Sequence, residues 1–340
     1  MKKINLMKYC AVGLLSIGLL SCNIEDDNDR LIPFVPSEVE NPVTISQIAI
    51  ATPELSLFEE ALRRLENESN FKVLSELNIP GSTTVFAPSD DAFNAFLTDN
   101  GIDGIENVPR VALENIIQNH ILDGETLSSG FTTGYIKTNS VNNNSDVNID
   151  LFVDTTNGVL LNGNTSVVTP DVSANNGVIH VIDRVLRVPT VFDLLSLNPS
   201  FTSLVDAIRV ADAGIEDTDA TEPVEDILGA LGTELTFFAP NNAALANLLT
   251  ALEVSSLSEV SPTVLRNVLL THIINRNSLF TTNLETDTFR SRNRRTLSVN
   301  ADDLTVTDPN GTIANIVTSG TVNIQTDNGV FQEIDAVLQP

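Results

Sequence analysis

The sequence predicts an α+β chain built from two tandem copies of one domain, and three observations predict it. Separated sequence blocks recur at one fixed offset. Within each copy, amphipathic helical segments precede strand-like ones. Asn-Gly pairs then punctuate the strand-rich half. Helices early and antiparallel hairpins late mark an α+β domain rather than a parallel βαβ sheet.

The repeat comes first. Thr84–Phe93 (TVFAPSDDAF) matches Thr236–Leu245 (TFFAPNNAAL), 152 residues on. Ile116–Ile121 (IIQNHI) matches Val268–Ile273 (VLLTHI), and Asn176–Asp183 (NGVIHVID) matches Asn328–Asp335 (NGVFQEID), at the same offset. Upstream, Thr44, Pro53 and Ala61 match Thr190, Pro199 and Ala207 at an offset of 146, so the second copy has gained six residues. The insertion is placed in Asp212–Asp226, an acid-rich stretch that reads as an exposed loop without EF-hand spacing.

Each copy opens with an amphipathic helix, marked by Leu57, Phe58, Ala61, Leu62 and Leu65 and echoed by Leu204, Val205, Ile208 and Val210. A short β-run, Thr84–Ala87 or Thr236–Ala239, then meets a proline. Ser89 and Asn241 follow as N-caps of the next helix. Ser261-Pro262 gives a cap-plus-proline start to the helix that carries His272. In the second half of each copy, Asn157-Gly158, Asn176-Gly177, Asn310-Gly311 and Asn328-Gly329 are expected at hairpin turns.

The N-terminus reads as an address. Lys2, Lys3 and Lys8 precede the apolar run Ala11–Leu20, which is too short to span a bilayer as a helix, so residues 1–21 are expected to be a signal peptide. Leu19-Leu20-Ser21-Cys22 resembles the bacterial lipobox, which implies acylation of Cys22 and a membrane anchor made by lipid alone. The acidic run after it resembles the export signal that carries some bacterial lipoproteins to the outer face of the outer membrane. Residues 22–43, with Pro33, Pro36 and Pro42, read as an extended acidic tether, followed by domains at 44–189 and 190–340.

Composition narrows the function classes. The chain of 340 residues has a formal charge of −27; the signal segment holds three lysines and no acid, so the remainder carries 15 basic against 45 acidic residues, or −30. Such a surface repels nucleic acid. Both cysteines, Cys10 and Cys22, fall in the N-terminal segment, so the body has no thiol for a disulfide or a metal site.

Catalytic signals are missing. His120, His180 and His272 are not paired at metal-ligand spacing, and no nucleophile elbow, phosphate loop or dinucleotide glycine pattern occurs. No cofactor is called for. His120 and His272 share a helix face with apolar neighbours and read as hydrogen-bonded core residues. Asp183 and Asp335 recur after an apolar strand and read as structural acceptors. The body lacks tryptophan and keeps only Tyr135, which disfavours a carbohydrate site built on stacked rings. Arg290, Arg292, Arg294 and Arg295 lie within six residues of an otherwise acidic chain. They can grip carboxylate or sulfate groups of a polysaccharide, or form a solvated loop neutralised by nearby acids.

The three blocks, in this order and spacing over 44–189 and 190–340, resemble the fasciclin domain. The resemblance implies a wedge of mostly antiparallel strands flanked by helices, a histidine that braces the interior, and a non-catalytic role in cell adhesion or matrix organisation through surface or matrix proteins. The family's central tyrosine–histidine pair reads Asn119-His120 and Thr271-His272 here. Tyrosine at that point is implicated in integrin contact in animal members, so its loss sets an integrin role in question.

Overall fold

The computed structural model describes residues 43–68, 72–142, 144–213, 215 and 222–340. The signal segment, Cys22, the tether up to residue 42 and residues 214 and 216–221 of the acidic insertion lie outside the described residues.

The first domain opens with helices α1 (Ile45–Ala51), α2 (Ser56–Glu68) and α3 (Val73–Glu76), then strand β1 (Thr83–Pro88) and helices α4 (Asp90–Asp99) and α5 (Arg110–Asn119). Strands β2 (Ile121–Asp123), β3 (Gly134–Val141), β4 (Asn148–Asp154), β5 (Leu160–Leu161), β6 (Thr165–Ala174) and β7 (Gly177–Ile182) complete it. The second domain repeats the plan with α6 (Val191–Leu197), α7 (Thr202–Asp212), α8 (Val224–Gly229), β8 (Leu235–Pro240), α9 (Asn242–Ala251) and α10 (Pro262–Thr271). It ends with β9 (Ile273–Asn275), β10 (Asp287–Arg290), β11 (Thr296–Asn300), β12 (Thr305–Thr307), β13 (Ile313–Asn315), β14 (Ile324–Thr326) and β15 (Gly329–Ile334).

Local chemistry explains these boundaries. Thr44 and Thr190 close capping boxes with Gln47 and Asp193, so both domains start on the same reciprocal pair of bonds. Ser89 and Asn241 accept the amides of Ala92 and Ala244 as N-caps. Ser261 makes no side-chain capping bond; Pro262 at the first helical position sets that start instead. Phe58, Ala61, Leu62 and Leu65 are buried along one face of α2. On α7 the matching face is Leu204, Ala207, Ile208 and Ala211, while Val210, expected there from sequence, is only half-buried.

The first sheet has strand order β2-β1-β7-β6-β5-β4-β3. In the second domain the corresponding strands form two four-stranded sheets, β14-β15-β8-β9 and β10-β11-β12-β13, joined by the bridges Ile274–Ser291 and Ile316–Ile334. Pairing is antiparallel except for β1–β7 and β8–β15, where the early strand runs parallel to the last one. That closure sandwiches the conserved-offset blocks between a helical core containing Phe58, Leu62 and Phe93 and a strand-side core containing Phe86, Leu151 and Ile182.

Two of the four expected Asn-Gly turns need correction. Gly158 and Gly311 do sit in turns, with φ of 99° and 87°. Ala174 pairs with Gly177 and Thr326 with Gly329, so the turns are Asn175-Asn176 and Asp327-Asn328, and each glycine opens the last strand. Glycine is required there by close approach: a Cβ on Gly177 would lie 1.9 Å from Thr83 O, and one on Gly329 2.1 Å from Leu235 O.

Candidate interaction surfaces and the residues behind them

The motif histidines are internal braces. His120 is fully buried at the end of α5; its Nδ1 donates to Ile116 O (2.7 Å) and its Nε2 accepts the Leu186 amide (2.9 Å). His272 repeats this with Val268 O (2.8 Å) and the Leu338 amide (2.9 Å). Each ring therefore pins the segment after the last strand onto a helix terminus. Burial in an apolar interior lowers both pKa values from 6.5 to about 4, so the rings are neutral and have no spare nitrogen for a metal or a proton relay.

His180, buried against the rings of Phe86 and Phe131, accepts the Asp171 amide on Nδ1 (3.2 Å) and donates from Nε2 to Thr126 O (2.9 Å). In the second copy Gln332 does the same work, accepting the Asn323 amide on Oε1 (2.9 Å) and donating to Leu279 O (2.8 Å). The amide has one acceptor and one donor arm at about the imidazole's spacing, which is why the fold survives the exchange.

Asp183 accepts the Ser166 amide (2.7 Å), and Asp335 accepts both the amide and the side-chain nitrogen of Asn315 (2.7 Å each). These carboxylates fasten the exit of the last strand to its neighbour. Sequence reasoning missed the clamps made by Asn176 and Asn328. The Asn176 Oδ1 accepts the Ile45 amide, while Nδ2 donates to Leu77 O and Ile79 O; Asn328 likewise joins the Val191 amide to Leu228 O. Their place beside glycine marks both as turn residues, whereas their near-zero exposure is a core property.

The two domains meet through the β3–β4 hairpin. Asn142 donates to Thr326 O (2.9 Å) and Asp327 O (2.6 Å), and Ser145 donates to the Gln325 Oε1 (3.1 Å). Asp150, 3% exposed, accepts the Gln325 amide (2.7 Å) and pairs with Lys137 (2.5 Å). Burial raises its pKa to about 6, with Lys137 opposing the rise. Phe152 packs into the second domain's helical core, and Tyr135 stacks edge-on against both Phe152 and Phe331 while donating to Leu194 O (3.1 Å). The linker between the domains borders an open cleft of about 460 Å³ whose walls include Phe96, Asp99, Arg184, Arg187 and Leu197.

The arginine cluster occupies the β10–β11 turn. Arg292 pairs with Glu222 (2.5 Å) and donates to the Asn275 Oδ1 (3.1 Å). Arg290, Arg294 and Arg295 are exposed and have no acidic partner among the described residues. Neutralisation by nearby acids thus accounts for one arginine of the four.

The Fasciclin domain family matches residues 54–189 and 199–340. The chain is similar to human periostin, with 29% identity over 273 residues covering 79% of this chain and 30% of that protein. It is also similar to pig transforming growth factor-beta-induced protein ig-h3, at 26% identity over 215 residues, covering 62% of this chain and 28% of that protein. The chain therefore spans less than a third of the length of these relatives. Among solved structures, the FAS1 domain pair of the insect cell adhesion molecule fasciclin I superposes with a TM-score of 0.50 at 18% identity, covering 84% of this chain and 97% of that one. With both copies matched by the family and the paired fold matched by that structure, this chain belongs to the fasciclin domain family and contains two tandem fasciclin domains.

Proposed function

We propose that this chain is a lipid-anchored, surface-exposed adhesion protein that contacts matrix or cell-surface proteins without catalysing a reaction. The observation that carries the reading is the pair itself: two fasciclin domains fastened by Asn142, Ser145, Asp150 and Phe152 into a joint presenting unit. Solved fasciclin I, named as an insect cell adhesion molecule, also contains a FAS1 pair. Two binding modules on one tether gain avidity from weak single sites. The histidines are engaged at both ring nitrogens in bracing contacts, which supports a structural rather than a catalytic use. The anchor rests on Leu19–Cys22 and on the confinement of cysteine to the first 22 residues.

The test is adhesion of beads carrying the full chain to surfaces coated with matrix proteins, compared with beads carrying an unrelated protein of similar acidity. Specific retention supports the reading, and equal retention of the two beads removes it. For the anchor, Cys22→Ala should move the protein from the membrane fraction to the medium; continued membrane association speaks against lipidation.

A further inference from the structure

We propose that the β10–β11 turn of the second domain is a binding edge for carboxylated or sulfated polysaccharide, with Arg290, Arg294 and Arg295 as its contact residues and Arg276 beside them. The proposal deepens the proposed function and rests on its surface-exposed placement, since such a ligand is met outside the cell.

The placement comes from three contacts. Ile274 bridges Ser291 antiparallel, the Arg292 amide donates to Ile273 O, and the Arg292 side chain donates to the Asn275 Oδ1. Ile273–Asn275 of β9 therefore runs alongside Arg290–Arg292, and Arg276 follows next to Arg290, at the end of the pair away from the turn. The Asn293 side chain donates to Asn267 O and to the Thr271 Oγ1 (2.9 and 2.8 Å), which nails the turn to α10. The guanidinium groups project from a fixed base, so binding does not have to order a loop first.

Backbone conformation adds a second line of evidence. Arg294 and Arg276 have φ of 67° and 62°. Glycine or asparagine occupies this left-handed region at lower cost. Arginine is held at both positions in spite of that cost, which points to a use for the side chain. Arg276, like Arg290, Arg294 and Arg295, is exposed and has no acidic partner among the described residues. By contrast Arg292, and Arg266 nearby, are engaged by Glu222 and Asp212 and serve as struts of the base.

The repeat shows what this position is for. In the first domain the corresponding hairpin, β3–β4, is the element that reaches out and docks, through Asn142 and Ser145. In the second domain the hairpin is shorter, and its tip is Ser-Arg-Asn-Arg-Arg, with no acid, where the first domain's tip carries Asp146 and no base. A docking element of the fold has become a set of planar cationic forks, which match carboxylate and sulfate oxygens bidentately. The chain's overall negative charge repels a polyanion at long range. At physiological ionic strength that repulsion is screened beyond about 8 Å, whereas contact pairs survive.

The test is retention of the purified full chain on dextran sulfate and on polygalacturonate resins, with uncharged dextran as the control. The expected result is retention on at least one acidic resin at about 0.15 M salt and release at about 1 M, where the screening length falls to about 3 Å. Retention on dextran sulfate alone assigns a sulfated ligand, and on polygalacturonate alone a carboxylated one. Arg294→Glu with Arg295→Glu should weaken binding by at least about tenfold at unchanged Tm, because charge-assisted pairs turn repulsive. Arg294→Lys with Arg295→Lys should fall between, since lysine keeps the charge and loses the fork. Should the glutamate pair lower Tm, Arg276→Glu carries the same comparison. The proposal is overturned if neither acidic resin retains the wild type, if dextran retains it equally, or if charge reversal leaves binding unchanged. Bead adhesion to protein surfaces is scored separately, so its loss with glycan retention intact removes the adhesive reading and leaves this one standing.

Discussion

The Nε2 of His120 accepts the amide of Leu186, 66 residues away, at 2.9 Å, and His272 holds Leu338 at the same separation and distance. An imidazolium has no acceptor nitrogen, so protonation breaks this bond and buries a charge. Both pKa values lie at about 4 in the fold against 6.5 unfolded. A depressed histidine pKa gives stability that is fully present above pH 6.5 and is lost as pH falls towards 4. The limit is about 3 kcal/mol per ring. Imidazole ¹⁵N shifts recorded from pH 7.5 to 5 should show both rings neutral, with Nδ1 protonated. A ring that titrates near 6.5 in the folded protein would sink the bracing role.

The exchange between His180 and Gln332 sets a second expectation. His180→Gln should fold with the stability of the wild type to within about 1 kcal/mol at pH 7.5, because the amide reproduces one accepted and one donated bond. Burial lowers the His180 pKa, so its contribution is also lost as pH falls below 6.5, and the glutamine variant should lose less stability between pH 7 and 5. Paired urea titrations at the two pH values measure this. A variant that unfolds at pH 7.5 contradicts the equivalence of the two side chains.

Much of the fold was legible in the sequence, and the reason lies in particular residues. Phe58, Leu62 and Leu65 advertise a helix face through local spacing, and Ser89 and Asn241 advertise caps, because both signals act within a turn or two of chain. The clamps of Asn176 on Ile45 and Asn328 on Val191 span 131 and 137 residues, and no local pattern encodes a partner at that distance. The interdomain contacts are hidden for another reason: they belong to the first copy alone, so the repeat gives no second instance to read. The arginine cluster was visible in sequence, but its partition was not, since Glu222 lies 70 residues from Arg292.

Gly177 and Gly158 separate two uses of glycine. Both have positive φ, but a Cβ on Gly158 meets nothing within 4 Å, while one on Gly177 runs into the β1 backbone. Gly158→Ala should cost about 1 kcal/mol from backbone strain alone. Gly177→Ala should cost on the order of 3–4 kcal/mol, because β1 and β7 must separate along their parallel ladder. Gly329→Ala should behave like Gly177→Ala in the second domain. Urea unfolding midpoints decide the matter, and equal costs at Gly158 and Gly177 would refute the close-approach account.

Domain coupling depends on Phe152 and Asp150 in opposite ways. Phe152, 5% exposed, lends its ring to the second domain's core, so Phe152→Ala should cost on the order of 3–5 kcal/mol and loosen the joint. Scanning calorimetry of the variant should then resolve two transitions where the wild type gives one. Asp150 carries a charge that the joint tolerates at a cost: its folded pKa of about 6 exceeds the unfolded 3.8. For an acid shifted upward, the penalty is absent below pH 3.8, grows as pH rises, and is complete above 6. Asp150→Asn keeps an oxygen for the Gln325 amide and removes the charge, so it should stabilise the pair at pH 7.5 by up to about 3 kcal/mol. The gain should shrink to nothing near pH 4, where the wild-type carboxyl is itself neutral. A variant less stable than the wild type at pH 7.5 would mean that the Lys137 pair outweighs the burial of the charge, and the joint would then be held by that ion pair rather than despite it.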